Sequence, residues 1–437
     1  MAENNVSQSR IYECLTGDDD SRMCDDIPEN ACNEQPRNFL LHLGASLGNK
    51  VADELSSARL VLPWLMGIIG APVWMVGLLV PIREAGALIP QLFVAGFIRL
   101  KPKRKWAWVA GALLQALAAL ALALLALIGS GISGGILVLG TLMLLALARG
   151  LSSIATKDVL GKTIAKGRRG TLMGWSGSLS GAATLTAGGV LMWFGDQPGN
   201  IALAILLAIA AAGWLLNAAC AARIAEAPGA VDGGENAWNS IQLGLSLLQE
   251  DRHFLHFNVA RALLLSSALA LPYLALLGQQ QSGTNLGGLG LLVVLSGVAA
   301  MVASPAWGKR ADQSSRCVMR DAAIGTAICC LLGASLAWLP GAWSQSVWPY
   351  ALIYALLVIV HHGARLGRKT YLVDIANQDN RALYVALSNT LTGVLMLLVG
   401  GAIGGLAQWL GSAPLLLVLA GTAFCAMLSA HRLPEAE

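Results

Sequence analysis

Charged side chains are scarce in this sequence. They make up 12% of its 437 residues, whereas soluble proteins carry about 25%. Hydrophobic residues make up 56% of the chain. The length alone would suggest about two or three soluble domains, but the shortage of charge argues against them. It favours a chain that lies mostly within a lipid bilayer.

Sequence motifs of enzymes and of metal sites are also missing. The eight cysteines show no CxxC or CxxH spacing, so a zinc site is not expected. No HExxH or GxSxG context of a hydrolase appears, and no glycine-rich loop ending in Gly-Lys-Ser/Thr marks a nucleotide site. We therefore predict that the protein is not an enzyme, that it has no cofactor or metal, and that it does not use ATP.

Residues 1–36 differ from the rest of the chain. They contain nine acidic and only two basic residues and few large apolar ones, a composition typical of a disordered segment. They also lack the apolar core of a secretory signal peptide. We predict a disordered, acidic, cytoplasmic tail with reduced cysteines. A soft-metal site among Cys14, Cys24 and Cys32 is the less favoured alternative.

Beyond the tail, apolar runs alternate with short polar segments. A helix that spans a bilayer needs about 20 residues, and twelve runs come close to or exceed this length. Their ranges are 39–70, 73–99, 106–129, 133–163, 171–195, 199–224, 253–279, 285–307, 317–339, 345–376, 381–409 and 413–431. The sequence thus predicts an all-α polytopic membrane protein with twelve transmembrane helices.

The basic loops all lie on one side of the predicted membrane. Clusters of Lys and Arg follow the second, fourth and eighth runs, at 99–105, 166–169 and 309–320. The opposite loops carry a single charged residue, Asp196. Because loops rich in Lys and Arg stay in the cytoplasm, we predict a multi-pass protein of the plasma (inner) membrane whose N- and C-termini are both cytoplasmic.

A polar stretch at 225–252 divides six runs from six. Its amphipathic part, at 238–248, favours a short helix on the membrane surface. We predict six-helix bundles at 37–224 and 253–431, joined by this cytoplasmic linker and followed by a cytoplasmic C-terminus at 432–437. Segment Ser57–Trp64 matches Ser266–Tyr273, and Ser176–Gly181 matches Ser388–Gly393, at a nearly constant offset. These matches indicate an internal duplication.

A loop motif follows the eighth run. Gly308, Asp312 and Arg316 have the spacing Gly-x-x-x-Asp-x-x-x-Arg, whereas the loop after the second run has Leu100 in place of the acid. With its twelve spans, its six-plus-six division and Arg149 in the fourth span, the chain resembles the major facilitator superfamily. The resemblance implies two pseudo-symmetric six-helix bundles, transport by alternating access, and a cytoplasmic gate formed by this motif. The glycine-rich fifth span lacks a proline, which favours close helix packing over that family's exporter signature.

Charged and titratable residues within the apolar runs are the candidate site. A charge at the centre of a bilayer costs about 3 kcal/mol or more, so it normally faces a cavity or a partner. The candidates for a substrate or proton pathway are Asp53, Glu54, Arg59, Arg83, Glu84, Arg149, Arg261, His361 and Arg365. The alternative, which does not exclude a transport role, is that charges of the first, second and fourth spans neutralise one another.

Other polar and aromatic residues in the spans allow two interpretations. His361 could titrate near neutral pH or serve in packing. Arg368 and Lys369 approach the cytoplasmic end of the tenth span, where snorkelling to the membrane surface is the simpler explanation. Trp64 and Tyr273 each follow a proline, and they could line a cavity or anchor the protein at the interface.

The function that this pattern favours is secondary active transport of a small solute by alternating access, coupled to protons. The cations near mid-membrane favour an anionic solute, unless they are simply paired. Asp53, Glu54 and Glu84 are the candidate proton carriers, and our hypothesis places Glu84 in a network with Arg83 and Arg149. The alternatives are a non-transporting membrane sensor or scaffold and a membrane-embedded enzyme.

The composition also limits the expected partners. The basic residues occur in short clusters rather than in a continuous stripe, so no nucleic acid is expected. The partners that we expect are the lipid bilayer, a small-molecule solute and protons, and we expect a monomer.

Overall fold

The computed structural model of the protein describes residues 12–13, 32–88, 101–193, 199–228, 251–282, 286–311, 313–341, 343–375 and 381–435. Within these ranges the long elements are all α-helices. The first group is α1 (Gln35–Leu55), α2 (Val61–Ile68), α3 (Val73–Leu88), α4 (Lys105–Ile128), α5 (Gly131–Thr163), α6 (Lys166–Trp193) and α7 (Gly199–Arg223). The second group is α8 (Arg252–Leu263), α9 (Ser266–Ser282), α10 (Leu286–Ala311), α11 (Ser315–Trp338), α12 (Val347–Asp374), α13 (Arg381–Leu410) and α14 (Ser412–His431).

Most of these helices are suited to a bilayer. In the described part of the chain, nine helical segments are long and apolar enough to cross a membrane. The remaining predicted spans are α1 with α2, α3, and the glycine-rich α6. Large apolar side chains point away from the bundle along α4 and α5, for example Leu117, Leu124 and Ile136. Their exposure is favourable only in lipid, so the prediction of an all-α polytopic membrane protein is confirmed.

The first and seventh spans are each broken into two helices. The breaks, between α1 and α2 and between α8 and α9, fall at the start of the two matched sequence segments. Serine hydroxyls bond to backbone carbonyls there, from Ser56 to Ala52 (2.8 Å) and from Ser267 to Leu264 (2.9 Å). Such bonds compete with the regular helical ladder. Pro63 and Pro272 follow these serines by one turn or more. Each lacks the backbone N–H that would continue the helical hydrogen bonds.

The two groups of helices repeat the same arrangement. Ser46 and Ser176 share a hydrogen bond between their hydroxyl oxygens, at 2.5 Å, which joins α1 to α6. At the same sequence offset in the second group, the Ser388 hydroxyl donates to Asn258 Oδ1 over 2.7 Å and joins α8 to α13. These paired contacts agree with an internal duplication. The residue boundaries of the two bundles stay a prediction, and the amphipathic part of the linker, at 238–248, lies outside the described residues.

The two halves meet near one end of the helices. We call the end that carries the basic loops the basic end and the opposite one the neutral end. The main contacts between the halves are made by helix pairs α3–α13, α6–α10, α2–α9 and α3–α9. At α3–α13, a Cβ atom added to Gly77 would lie 2.6 Å from Gly404 Cα, and at α6–α10 one added to Gly290 would lie 2.8 Å from the Gly188 carbonyl oxygen. These glycines lie in the neutral half of their helices, so the halves are packed tightly at the neutral end.

The chain ends that are described contact the bundle. Tyr12 is buried, its ring lies edge-on against Phe39 at 5.3 Å, and its hydroxyl accepts a hydrogen bond from Gln35 Nε2 over 2.9 Å. This residue is therefore packed against α1, whereas residues 1–11 and 14–31 lie outside the described residues and their disorder stays a prediction. Cys32 is disulfide-bonded, whereas we expected reduced cysteines. At the other terminus, Leu433 is fully buried.

Candidate functional site

A polar cavity of about 280 Å³ lies between the two halves, beside the break in the first span. Its walls come from α1, α3, α5 and α6 of the first half and from α9, α10 and α12 of the second. The predicted residues that line it are Asp53, Glu54, Arg59, Arg83, Glu84, Arg149, His361 and Arg365. The fold thus brings together side chains from helices that are far apart in sequence.

Asp53 is the centre of the ion pairs in this cavity. Its Oδ1 atom accepts hydrogen bonds from the guanidinium groups of Arg83 and of Arg149, the latter over 2.5 Å. Asp53 and Arg83 are largely shielded, with 18% and 8% of their side chains exposed, whereas 40% of the Arg149 side chain faces the cavity. One carboxylate therefore links the first, second and fourth spans, and charge neutralisation among these spans is a feature of the site.

Glu84 has a different partner from the one that we expected. Its carboxylate accepts a hydrogen bond from Arg59 Nη2 over 2.7 Å, while Arg83 and Arg149 bind Asp53 instead. Neighbouring residues on a helix point about 100° apart, so Arg83 and Glu84 reach different parts of the first span. Arg83, Glu84 and Arg149 thus line one cavity, as our hypothesis expects, but Glu84 is bound to Arg59 and not directly to Arg83 or Arg149.

Two charged residues of the cavity have no ion-pair partner among the described residues. These are Glu54, on the first half, and Arg365, on the second. Both side chains are exposed to the cavity rather than packed. Each is therefore available to a solute, to water or to a proton.

His361 lies between the cavity and the break in the seventh span. It is 2% exposed, and its Nδ1 atom is 3.1 Å from the hydroxyl oxygen of Ser267. Its Nε2 atom has no hydrogen-bond partner in the described part of the protein. His361 is thus packed, and it also belongs to the lining of both cavities; its titration stays a prediction.

A second cavity, of about 490 Å³, extends from the first toward the basic end. It shares Arg59, Glu84, His361 and Arg365 with the first, and its other basic residues are Arg261, Arg368 and Lys369. Our expectation that Arg368 and Lys369 snorkel to the membrane surface is therefore wrong, because both face the cavity.

Neutral acceptors hold Arg261 and Arg368 in this second cavity. Arg261 donates to the Ser388 hydroxyl over 2.7 Å and to Asn389 Oδ1 over 2.8 Å, and Arg368 Nε donates to the Ala364 carbonyl oxygen over 3.1 Å. Asn389 was not among our candidates. The sequence does contain a signal for Asn389, because this residue belongs to the segment Ser388–Gly393, which repeats a segment of the first half.

Sequence reasoning also missed the neutral polar residues of the first cavity. They are Ser57, Ser180, Thr184, Ser296 and Tyr354. Ser180 and Thr184 are one turn apart on α6, and such small polar residues give no signal in a span that also contains many glycines.

The predicted gate residues are not brought to this site. A Cβ atom on Gly308 would meet no atom within 4 Å. Arg316 pairs with Glu435, and its Nη1 atom donates to the Leu433 carbonyl oxygen over 3.1 Å. Asp312 lies outside the described residues. Arg316 thus holds the C-terminal segment, a contact that the motif does not predict.

Trp64 and Tyr273 line neither described cavity, and they are not interfacial. Both are fully buried at the contact between the halves. The Trp64 carbonyl oxygen accepts a hydrogen bond from Gln279 Nε2 over 3.0 Å, and the Tyr273 hydroxyl lies 2.3 Å from the position of a Cβ atom on Gly77. Both of our interpretations of these aromatic residues are wrong, since they belong to the packing of the neutral end.

In the described part of the chain, no group of three or more His, Cys, Asp or Glu side chains could hold a metal ion. The arrangement that is present is a set of ion pairs and unpaired charges around two connected cavities. It can bind a charged solute and can exchange protons with water.

Comparison with known proteins gives matches in structure but not in sequence. No protein-family profile and no curated protein matches the sequence. The nucleoside transporter NupG superposes with a TM-score of 0.71 at 12% identity, over 91% of this chain and 99% of that one. A POT family transporter in complex with a thioalcohol-conjugated peptide has a TM-score of 0.67 at 14% identity, over 92% and 97%.

A third structure is the xylose transporter XylE of E. coli in its inward-open conformation. It superposes with a TM-score of 0.67 at 12% identity, over 92% of this chain and 97% of that one. Identities this low carry information on the fold and not on the solute. The chain thus shares the fold of these three transporters, which agrees with the fold that its sequence resemblance implies.

Proposed function

We propose that the protein is a secondary active transporter that moves a small anionic solute across the membrane by alternating access. The observation that carries this proposal is the charged cavity between the two halves, which is packed shut at the neutral end and extends toward the basic end. A substrate site at the interface of two repeated halves is the arrangement expected of such transporters.

The charges of the cavity support an anionic solute. Arg59, Arg83 and Arg149 are paired with carboxylates, but Arg365 has no ion pair among the described residues. An unpaired cation is costly at membrane depth, and a negatively charged solute would offset this cost. A guanidinium group also matches the geometry of carboxylate and phosphate groups.

Proton coupling belongs to the same proposal, with Glu54 as the carrier. Asp53 and Glu84 are each bound to guanidinium groups of their own half. Glu54 faces the same cavity without such a bond in the described part of the protein. Its carboxylate can therefore gain and lose a proton without breaking an ion pair, and it replaces Glu84 as our candidate.

The topology completes the proposal. If the basic loops lie in the cytoplasm of the cell, as the charge distribution predicts, then the cavity faces the cytoplasm of a plasma (inner) membrane. Both chain termini would lie on that side. We also propose a monomer, as expected from the sequence.

Flux into proteoliposomes tests the proposal. Purified protein is reconstituted, a pH gradient is imposed, and uptake of labelled carboxylates and phosphate compounds is compared with uptake of neutral and cationic compounds of similar size. We expect uptake of anions alone, and its loss in Arg365→Gln. Arg320→Gln, which changes a cation paired with Asp321 outside the cavity, is the matched control.

The same experiment separates the alternatives. A sensor or scaffold would show no flux of any compound, and a membrane enzyme would convert a compound without moving it. Uptake of neutral or cationic compounds alone would contradict the proposal of an anionic solute but would support the proposal of transport.

A further inference from the structure

The acidic and the unpaired basic residues lie on opposite walls of the connected cavities. All three carboxylates, Asp53, Glu54 and Glu84, belong to α1 and α3 of the first half. The second half contributes four basic residues, from α8 and α12, and no acidic one to the described lining. They are Arg261, Arg365, Arg368 and Lys369.

We infer that the solute carries at least two negative charges and binds to this basic wall through separate oxyanion groups. The inference rests on the proposed function and deepens it, since it assigns a substrate class to the same pathway. The class consists of small organic compounds with two or more carboxylate or phosphate groups.

Charge balance is the first argument. Asp53 and Glu84 are already bound by Arg59, Arg83 and Arg149 of their own half. In the described structure, none of the four basic residues of the second half lies within ion-pair distance of a carboxylate. A solute with one negative charge would leave most of this wall uncompensated, and uncompensated charge is expensive where water is restricted.

Hydrogen-bond donors and acceptors without partners are the second argument. Arg261 is held by Ser388 and Asn389, yet its buried Nε atom has no partner among the described residues. His361 is 2% exposed, lines both cavities, and has an unpartnered Nε2 atom. Buried polar atoms are nearly always bonded, so a solute in these cavities would satisfy atoms that the described residues leave without partners.

The shape of the site is the third argument. The two cavities, of about 280 and 490 Å³, meet at Arg59, Glu84, His361 and Arg365. A small organic molecule fits a space of this size. One anionic group would lie at Arg365, where the cavities meet, and the other near Arg368 and Lys369 toward the basic end. Apolar residues such as Leu265 and Met396 lie along the second cavity and suit a carbon skeleton between the charges.

A series of ligands that differ in charge tests this inference. The full-length protein in detergent is titrated with butyrate, succinate and tricarballylate, and with propyl phosphate, while its thermal unfolding is recorded. We expect succinate and tricarballylate, which carry separate carboxylates, to bind about tenfold or more tightly than butyrate, because each additional hydrogen bond between charged groups contributes at least that factor.

Variants at the basic end show whether the second group binds where we place it. Lys369→Gln and Arg368→Gln should each reduce succinate affinity about tenfold and change butyrate affinity by less than about twofold. The Lys369 side chain is exposed to the cavity, so this variant should fold normally. Arg320→Gln, outside the cavity, should change neither affinity.

The outcomes separate this inference from the proposed function. Equal binding of butyrate and succinate, or an unchanged succinate affinity in both variants, would overturn the inference while anion transport stands. Binding of a short-chain phosphatidate without binding of succinate or propyl phosphate would identify a lipid headgroup and overturn a soluble substrate. Transport restricted to neutral compounds would overturn both.

Discussion

The hydroxyl of Tyr354 donates a hydrogen bond over 3.3 Å to the backbone carbonyl oxygen of Arg59, and this bond connects the two halves beside the cavity. The carbonyl is available because the residue four positions later is Pro63, which has no N–H to complete the helical ladder. The break in the first span thus provides both a cavity-facing guanidinium and an acceptor for the opposite half.

Removing the Tyr354 hydroxyl should weaken the closed neutral end. A single neutral hydrogen bond contributes about 1 kcal/mol, so Tyr354→Phe should raise the population that is open at the neutral end by about fivefold. The measurement is the rate at which an impermeant thiol reagent, added at the neutral side, modifies Ser57→Cys in a protein whose native cysteines are replaced. An unchanged rate would mean that the bond does not contribute to closure.

The contact between α3 and α13 should not tolerate a side chain at Gly404. A Cβ atom there would lie 2.5 Å from the Trp74 carbonyl oxygen, whereas one at Gly405 would meet nothing within 4 Å. Overpacking typically costs about 1–3 kcal/mol. Gly404→Ala should therefore open the neutral end and slow transport, with Gly405→Ala as the neighbouring control. Accessibility of Ser57→Cys reports the conformation, and equal behaviour of the two variants would contradict the prediction.

Asp53→Asn should lower the stability of the folded protein. The substitution removes the carboxylate that both Arg83 and Arg149 require, and breaking a shielded ion pair typically costs about 3–5 kcal/mol. We expect a clear fall in the apparent melting temperature and in expression. Asp321→Asn removes partners of Arg310 and Arg320 outside the cavity and should cost about 1 kcal/mol or less. A similar small effect of both changes would show that Asp53 is dispensable for stability.

Glu54 and Glu84 should differ in their roles. Glu54→Gln should abolish transport driven by a pH gradient and spare counterflow exchange, which needs no net proton movement. Glu84→Gln should leave Arg59 without its partner and reduce both modes together with thermal stability. Both modes are measured in the same proteoliposomes. Intact gradient-driven transport in Glu54→Gln at normal expression would exclude it as the carrier.

The spans and the depth of the charges could be read from the sequence for simple physical reasons. Apolar runs of bilayer length are rare in soluble proteins, and Asp53, Arg83 and Arg149 stand out within them. The ion pairs that these charged residues form could not be predicted in this way. It depends on the rotation and offset of packed helices, and Glu84 consequently meets Arg59 rather than Arg149.

The residues that line the cavity at the basic end were harder to predict than those near the middle of the membrane. Arg368 and Lys369 are close to the end of an apolar run, and sequence position alone does not distinguish a lipid-facing residue from one that lines a deep cavity. The break in the first span was also not predicted. Pro63 was the available signal, because a proline within the predicted span 39–70 interrupts the backbone hydrogen bonds of a continuous helix.

The basic wall of the cavity has an electrical consequence. Among the residues that the structure describes, seven basic and three acidic side chains line the two cavities, an excess of four positive charges. Each elementary charge that moves through the transmembrane potential changes the free energy by about 2.3 kcal/mol per 100 mV. A potential that is negative on the basic side should therefore hold the empty protein facing that side, and a dianionic solute should halve this effect. Exchange rates recorded at imposed potassium diffusion potentials would reveal it, and voltage-independent rates would show that the cavity charges do not cross the field.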